Sequence, residues 1–179
     1  DTLCNMKHFP NLFSSASLGK VILKNRLIFG PHGTSLGCDG KVTEELIAYH
    51  EARARGGVGL IILEGATIHE TYAYPGQFIY LGSDKCIPGI KKLTDRCHQY
   101  DCKVIGQLFH AGRAVRISLD GSQPVAWAPS EIPDERYRIV PKEMPREMIY
   151  EIIEAYSEAA LRLQKAGCDG VEVLAGMGY

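Results

Sequence analysis

The sequence predicts an α/β fold with a parallel sheet, best matched by part of a (β/α)8 barrel. Apolar runs typical of strands alternate along the chain with runs typical of helices. Most of the apolar runs are continuous, as in parallel strands that are buried on both faces. Connections after predicted strands are long and those after predicted helices are short. This asymmetry favours a barrel over a doubly wound sheet, because long loops at one end of a barrel build its active site.

Four strands are predicted, over residues 26–29, 58–63, 103–108 and 170–174. The first is followed by the segment GPHGTSLG. That segment lacks the G-x-G-x-x-G spacing by which a dinucleotide-binding sheet holds a pyrophosphate. Residues 64–83 and 109–145 show little periodicity, and we expect them to be long loops near a functional site.

Three helices are predicted between these strands, over residues 43–55, 84–100 and 146–166. The first begins with Glu44 and Glu45 and ends with Arg53 and Arg55, charges that complement the helix dipole. The second must place Pro88 in its first turn, where the missing N–H costs no helical hydrogen bond. We expect the run AYHEARARGG, residues 48–57, to form a solvent-exposed helix face.

Charge and composition exclude several classes of protein. The chain has 179 residues, with 20 basic and 21 acidic side chains, so it has no basic excess for binding nucleic acid or an anionic membrane. Its longest apolar run, residues 58–63, is too short to span a bilayer, and its first ten residues lack the apolar segment of a signal peptide. The six cysteines form no C-x-x-C pair. We therefore expect a cytoplasmic protein with reduced thiols and no metal site.

Several motifs resemble the Old Yellow Enzyme family, the NADH:flavin oxidoreductases. In chain order they are FPNLF, LGKVILKNRLIFGPHGTSL, AYHEARARGGVGLIILEGA, IGQLFHAGR followed by APSEIP, and KAGCDGVEVLAGMGY. The family includes 2,4-dienoyl-CoA reductases, enoate reductases and the trimethylamine dehydrogenase type. The resemblance implies a (β/α)8 barrel that binds FMN, takes electrons from NADH or NADPH, and acts on a small-molecule substrate.

The resemblance also implies roles for individual residues. A segment after the first strand is expected to run along the flavin ring: Gly30, Pro31, His32 and Gly33. Gly65 matches a small residue whose backbone approaches the flavin, and Gln107 matches a glutamine on the pyrimidine edge of the ring. Tyr179 matches the tyrosine that gives a proton to an activated alkene after hydride transfer from flavin N5.

Two departures from the family pattern concern the substrate and the flavin. Enone-reducing members carry a His/His or His/Asn pair that binds the substrate carbonyl, whereas Leu174 and Met177 stand at the matching positions. Neither donates a strong hydrogen bond, so both are expected to line the substrate pocket, and a simple cyclic enone is a poor candidate substrate. The second departure is Gly33, where many members carry Thr or Cys. The alternative to reduction of an alkene is oxidation of an amine, by an FMN-dependent amine dehydrogenase or demethylase of the same family.

Length sets a further expectation. A (β/α)8 barrel needs about 250 residues, so residues 1–179 are expected to form one N-terminal portion of an FMN-binding barrel, without its second half. Open sheet edges would then need covering, for example by another copy of the chain. An inactive half barrel, or a half barrel that acts as an assembly partner, is the non-enzymatic alternative.

Other polar residues near the predicted strand ends have simpler interpretations. His110 and Arg113 follow Gln107 closely and are expected to be structural. Glu64 and Glu172 could form an acid–base pair. We instead expect each of them to bind backbone groups or arginines.

Overall fold

The computed structural model describes residues 8–72, 78–115, 125–176 and 178–179. The strands and α-helices of these residues follow in chain order: β1 (Ala16–Leu18), β2 (Val21–Leu23), β3 (Ile28–Phe29), α1 (Glu44–Arg55), β4 (Leu60–Thr67), α2 (Ile87–His98), β5 (Lys103–Phe109), β6 (Trp127–Ala128), β7 (Lys142–Glu143), α3 (Arg146–Lys165) and β8 (Gly170–Val173). No helix within these ranges is long and apolar enough to cross a membrane.

A four-stranded sheet of order β3-β4-β5-β8 forms the centre of the fold, and every neighbouring pair is parallel. Ile28 pairs with Leu60, Leu60 with Lys103, and Ile105 with Gly170. One helix lies between each strand and the next strand of the sheet. The four predicted strands, the three predicted helices and the parallel arrangement are therefore confirmed.

The helices begin where the sequence supplies N-terminal signals. The Thr43 hydroxyl accepts a hydrogen bond from Leu46 N at 3.2 Å and so caps α1. The predicted second helix is divided, because a 3₁₀ turn over Asp84–Cys86 precedes α2. Pro88 lies in the first turn of α2, as expected. Thr43 thus satisfies one of the N–H groups that the first turn of α1 leaves without a helical partner.

The main core lies between the sheet and the helices. Its fully buried members come from both layers and include Leu46, Ile61, Leu93, Val104 and Leu163. Gly106 on β5 lets α3 approach closely, because a Cβ there would lie 2.4 Å from Leu163 Cδ1. The core therefore depends on a small residue in the central sheet as well as on large apolar side chains.

The expectation of a solvent-exposed face over residues 48–57 is wrong for part of the run. His50 and Ala54 on α1 are buried, both in the layer that faces the sheet. The polar composition of the run concealed this inward face, because a histidine and a small alanine give a weaker hydrophobic signal than leucine or isoleucine.

Two small strand pairs were not predicted. Antiparallel β1 and β2 form a hairpin that brings Leu23 against Leu60 and Ile105. Parallel β6 and β7 lie inside the segment 109–145, which was expected to be loop. Each of these strands is two or three residues long, which is too short for an alternating pattern to be visible.

The five cysteines within the described ranges are free thiols: Cys38, Cys86, Cys97, Cys102 and Cys168. Burial raises the pKa of the Cys97 thiol to about 12 and that of Cys102 to about 11. Those two thiols are therefore protonated and unreactive at neutral pH. Among the described residues, no group of histidines, cysteines and carboxylates is arranged to hold a metal ion.

Candidate functional site at the carboxyl ends of the strands

The predicted site residues gather at one end of the parallel sheet. The segment 30–33 directly follows β3, Gly65 and Gln107 lie in β4 and β5, and Leu174 and Tyr179 follow β8. Gly65 pairs with Gln107, and Gln107 pairs with Glu172 on β8. Met177 lies outside the described residues. The carboxyl ends of parallel strands are where α/β folds build their binding sites.

An irregularity in β4 shapes this end of the sheet. Ile62 pairs with Ile105 and Gly65 pairs with Gln107, so β4 has two residues where β5 has one. This is a β-bulge. The prediction that the strand ends at residue 63 is wrong, because β4 runs through the bulge to Thr67. A charged residue and a glycine inside the strand hid its continuation.

Gly65 is packed tightly beside the Gln107 side chain. A Cβ at Gly65 would lie 3.1 Å from Gln107 Oε1 and 3.4 Å from Phe109 Cβ. A larger residue would therefore displace the amide or the aromatic ring. The requirement for a small residue at this position thus has a direct structural cause.

The Gln107 amide is buried and held in one orientation. Its Nε2 donates a hydrogen bond to Glu172 Oε1 at 2.6 Å, and the side chain is 5% exposed. Because an ionised carboxylate only accepts hydrogen bonds, this contact fixes which end of the amide faces β8. Glu172 binds this side-chain amide, which corrects the expectation of a backbone or arginine partner.

Glu64 holds the irregular segment that follows β3. Its Oε2 accepts hydrogen bonds from the backbone N and the hydroxyl of Thr34, both at 2.6 Å, and the side chain is buried. The expected backbone partner is thus confirmed. A Cβ at Gly30 or Gly33 would meet no atom within 4 Å. The segment is anchored at Thr34, while the backbone of its two glycines borders open space.

His32 contacts helix α1. Its Nδ1 lies 3.1 Å from the Tyr49 hydroxyl, and the ring of Tyr49 lies 3.4 Å below the guanidinium carbon of Arg53. The structure therefore ties the side chain of His32 to the helix layer.

Tyr179 packs at the far side of the site. Its ring meets the Phe109 ring edge-on, with centroids 4.9 Å apart, and Leu174 packs in the same apolar cluster. The guanidinium carbon of Arg136 lies 5.9 Å from the centroid of the Tyr179 ring. Sequence reasoning missed Arg136, because it lies in the segment 109–145 and belongs to no motif that pointed to the site.

His110 and Arg113 connect loops around the site. His110 Nδ1 accepts a hydrogen bond from Gly112 N at 3.1 Å, and its Nε2 lies 3.0 Å from the Thr71 hydroxyl. Burial, and then the neighbouring His69, lower the pKa of His110 to about 4, so its ring is neutral at pH 7. Arg113 donates to the carbonyl oxygen of Pro133 at 3.3 Å. These contacts support the structural role expected for both residues.

Comparison with solved structures identifies the barrel to which this fold corresponds. A 2-naphthoyl-CoA reductase in complex with 2-naphthoyl-CoA superimposes with a TM-score of 0.85 and 30% sequence identity, over 96% of this chain and 28% of that one. Morphinone reductase superimposes with a TM-score of 0.79 and 29% identity, over 91% of this chain and 47% of that one. These Old Yellow Enzyme-type structures are (β/α)8 barrels, of which the four-stranded sheet is a part, so the predicted fold class is confirmed.

Comparison of sequences leads to the same group. An NADH oxidase of Thermoanaerobacter brockii is 40% identical over 97% of this chain, which spans 27% of that relative's length. The sequence profile of the NADH:flavin oxidoreductase / NADH oxidase family matches residues 11–179. The match includes every strand of the central sheet and all the predicted site residues. The chain therefore belongs to the NADH:flavin oxidoreductase / NADH oxidase family, whose members use FMN with NADH or NADPH as the reductant.

Proposed function

We propose that the protein is an FMN-dependent oxidoreductase that uses NADH or NADPH to reduce an activated alkene. One observation carries the proposal. The structure places Gly65 beside the fixed amide of Gln107, with Tyr179 beyond the end of the adjacent strand β8. An amide suited to the edge of a flavin ring and a phenol thus share one end of the sheet.

Gln107 and the glycine-rich backbone would hold the flavin ring. An amide offers both a donor and an acceptor, which suits the alternating polar atoms of the pyrimidine edge. Gly65 leaves room for that amide, and the segment 30–33 offers backbone beside open space. When bound, FMN supplies the capacity to take a hydride from the nicotinamide and give it to the substrate.

Tyr179 would complete the reduction with a proton. A phenol holds its proton at neutral pH and can give it to a carbanion without being charged at rest. Its Oη–H bond breaks as a C–H bond forms at the α-carbon of the substrate. The edge-on contact with Phe109 limits where the ring can move, which helps to keep Oη in place.

Leu174 narrows the choice of substrate. Its apolar side chain cannot donate a hydrogen bond to a carbonyl oxygen at the end of β8. A substrate that needs this donation, such as a simple cyclic enone, fits poorly. Among other activated alkenes we favour one conjugated to an acyl thioester, because the fold is similar to that of a reductase bound to 2-naphthoyl-CoA.

Amine oxidation is the second candidate, because Leu174 also suits the alkyl groups of an amine. There the hydride leaves the substrate, and Tyr179 has no proton to give. Replacing Tyr179 with Phe separates the two functions. Alkene reduction should fall about a hundredfold, while amine oxidation should stay within a factor of a few. An unchanged rate of alkene reduction would contradict the proposed role of Tyr179.

Binding of FMN tests the site itself. We expect titration with the protein to quench flavin fluorescence, and Gln107→Leu to weaken binding about tenfold by removing the hydrogen-bonding amide. Gln164→Leu is the matched control, because Gln164 is exposed on α3. Absence of binding, or equal affinities of the two variants, would count against the assigned site.

A further inference from the structure

We propose that Arg113 is a positioning residue for proton transfer from Tyr179, on a loop that the Thr71 hydroxyl locks in place. The inference rests on the proposed function, in which Tyr179 is the proton donor. The loop consists of residues 110–113, directly after β5, and Thr71 belongs to the segment that follows β4.

Arg113 lies against the turn that carries Tyr179. Tyr179 N donates to the Gly176 carbonyl oxygen at 3.1 Å, which closes a turn just before Tyr179. Gly178 in this turn has a φ of +83°, and a Cβ there would lie 3.4 Å from Arg113 Nη2 and 3.8 Å from its Nε. The guanidinium is therefore close to the backbone of the residue that precedes Tyr179.

The guanidinium is held from its other side by backbone carbonyl groups. Arg113 Nη1 donates to the carbonyl oxygen of Pro133 at 3.3 Å and lies 3.5 Å from that of Ile132. Both residues belong to the segment between β6 and β7. Arg113 thus joins this segment to the turn before Tyr179.

The same loop also meets the ring of Tyr179. Phe109, which directly precedes the loop, packs edge-on against that ring with centroids 4.9 Å apart. Tyr179 is therefore constrained at its ring by the residue before the loop and at its backbone by the last residue of the loop. Any movement of the loop would displace both contacts together.

A chain of hydrogen bonds with a defined direction fixes the loop. Gly112 N donates to His110 Nδ1 at 3.1 Å, so the proton of the neutral His110 ring is on Nε2. That Nε2 donates to the Thr71 hydroxyl oxygen at 3.0 Å. The hydroxyl hydrogen is then left for His69 Nδ1 at 2.8 Å, which also accepts from Thr71 N at 3.3 Å.

Thr71 is the link at the centre of this chain. Its hydroxyl accepts from one ring and donates to the other, so both of its hydrogen-bonding capacities are used. Valine has the shape of threonine but lacks the hydroxyl. Thr71→Val therefore separates the two rings without emptying the space between them, and Thr71→Ser keeps the link.

Nitrogen NMR of the chain tests the direction of the hydrogen bonds without any cofactor. With labelled histidines, the signals that are lost in His110→Asn identify His110. We expect its proton on Nε2 at pH 7, and we expect Thr71→Val to shift the Nε2 signal. A proton on Nδ1, or a His110 spectrum that Thr71→Val leaves unchanged, would overturn the proposed lock.

Carbon NMR tests whether the loop positions Tyr179. With tyrosines labelled at Cζ, the signal that is lost in Tyr179→Phe identifies Tyr179. We expect Arg113→Met and Thr71→Val to shift that signal. Ser157→Ala, which removes an exposed hydroxyl on α3, should leave it unchanged. A Tyr179 signal that is the same in wild type, Arg113→Met and Thr71→Val would overturn the proposal.

Kinetics of the FMN-loaded protein tests the consequence. Arg113→Met and Thr71→Val should each lower kcat for alkene reduction about tenfold, with little change in KM or FMN affinity, and raise the solvent deuterium isotope effect on kcat. Thr71→Ser should recover most of the loss, and Arg138→Met, at an exposed arginine, should behave as wild type. If Tyr179→Phe alone slows the reaction, the positioning role fails and the proposed function stands. If Tyr179→Phe has no effect, both fail.

Discussion

The two ends of the parallel sheet are built differently. At the amino end, the hairpin of β1 and β2 brings Leu23 against Leu60 and Ile105, and the connections from helix to strand are short. At the carboxyl end, Gln107 and Glu64 are buried and hydrogen bonded, and long segments follow the strands. The difference shows a division of labour that barrels share: one end stabilises the fold and the other is available for chemistry.

The largest expected effect is a loss of stability when the packing at the amino end of the parallel sheet is disrupted. Leu60→Ala removes a fully buried side chain from the hairpin contact. We expect the free energy of unfolding to fall by about 2–5 kcal/mol, measured by urea denaturation. Leu161→Ala on the exposed face of α3 is the control and should change stability by under about 0.5 kcal/mol. If the Leu60→Ala variant kept its stability but lost affinity for FMN, the assignment of stability to the amino end and of binding to the carboxyl end would be wrong.

A smaller effect, confined to the carboxyl end, is expected from Gly65→Ala. The new Cβ would crowd Gln107 Oε1 at 3.1 Å and turn the amide away from its present position. FMN affinity should fall about tenfold, with a modest loss of stability. Gly33→Ala is the control for stability, because a Cβ there meets no atom within 4 Å. Calorimetry and flavin fluorescence measure the two effects, and equal FMN affinity of Gly65→Ala and wild type would exclude this role for Gly65.

A further expected effect is a dependence of stability on pH that involves both the helix layer and the site. Burial, and then Arg53, lower the pKa of His50 to about 4, and burial and His69 lower that of His110 to about 4. Because the ordinary value is 6.5, the unfolded chain binds protons more readily. The contribution of each neutral ring is complete above about pH 6.5 and is lost as the pH falls toward 4.

Urea unfolding at pH 7 and pH 5 measures this loss. His50 supplies the sharper test, because neither of its buried ring nitrogens has a hydrogen-bond partner among the described residues. His50→Leu should therefore retain more of its stability at pH 5 than wild type does. An equal loss in both proteins would show that His50 contributes nothing to the pH dependence.

The sequence allowed the central fold to be predicted because its strands are continuous apolar runs and its helices carry matching end charges. It could not reveal β6 and β7, whose two-residue lengths leave no periodic pattern. His50 was expected at the surface, because residue type alone does not tell which face of a helix is turned inward. Packing between elements decided that question.

The site was predicted to different degrees. Gln107 and Gly65 belong to motifs that the chain shares with its family, and the structure places them side by side. Arg136 was not predicted, because its position near the Tyr179 ring depends on a turn closed by Asp134. Contacts of this kind join residues that are far apart in the sequence, so they produce no motif with a recognisable spacing.

The bulge in β4 shifts the pairing register between β4 and β5 by one residue. Counting from the pair Ile62 and Ile105 without the extra residue, Glu64 would fall opposite Gln107. A carboxylate would then stand where the hydrogen of Gly65 now lies, next to the existing charge of Glu172. The inserted residue thus keeps the Glu64 carboxylate away from the Gln107 amide and places it against Thr34. A single added residue therefore sets both the shape and the charge of this end of the sheet.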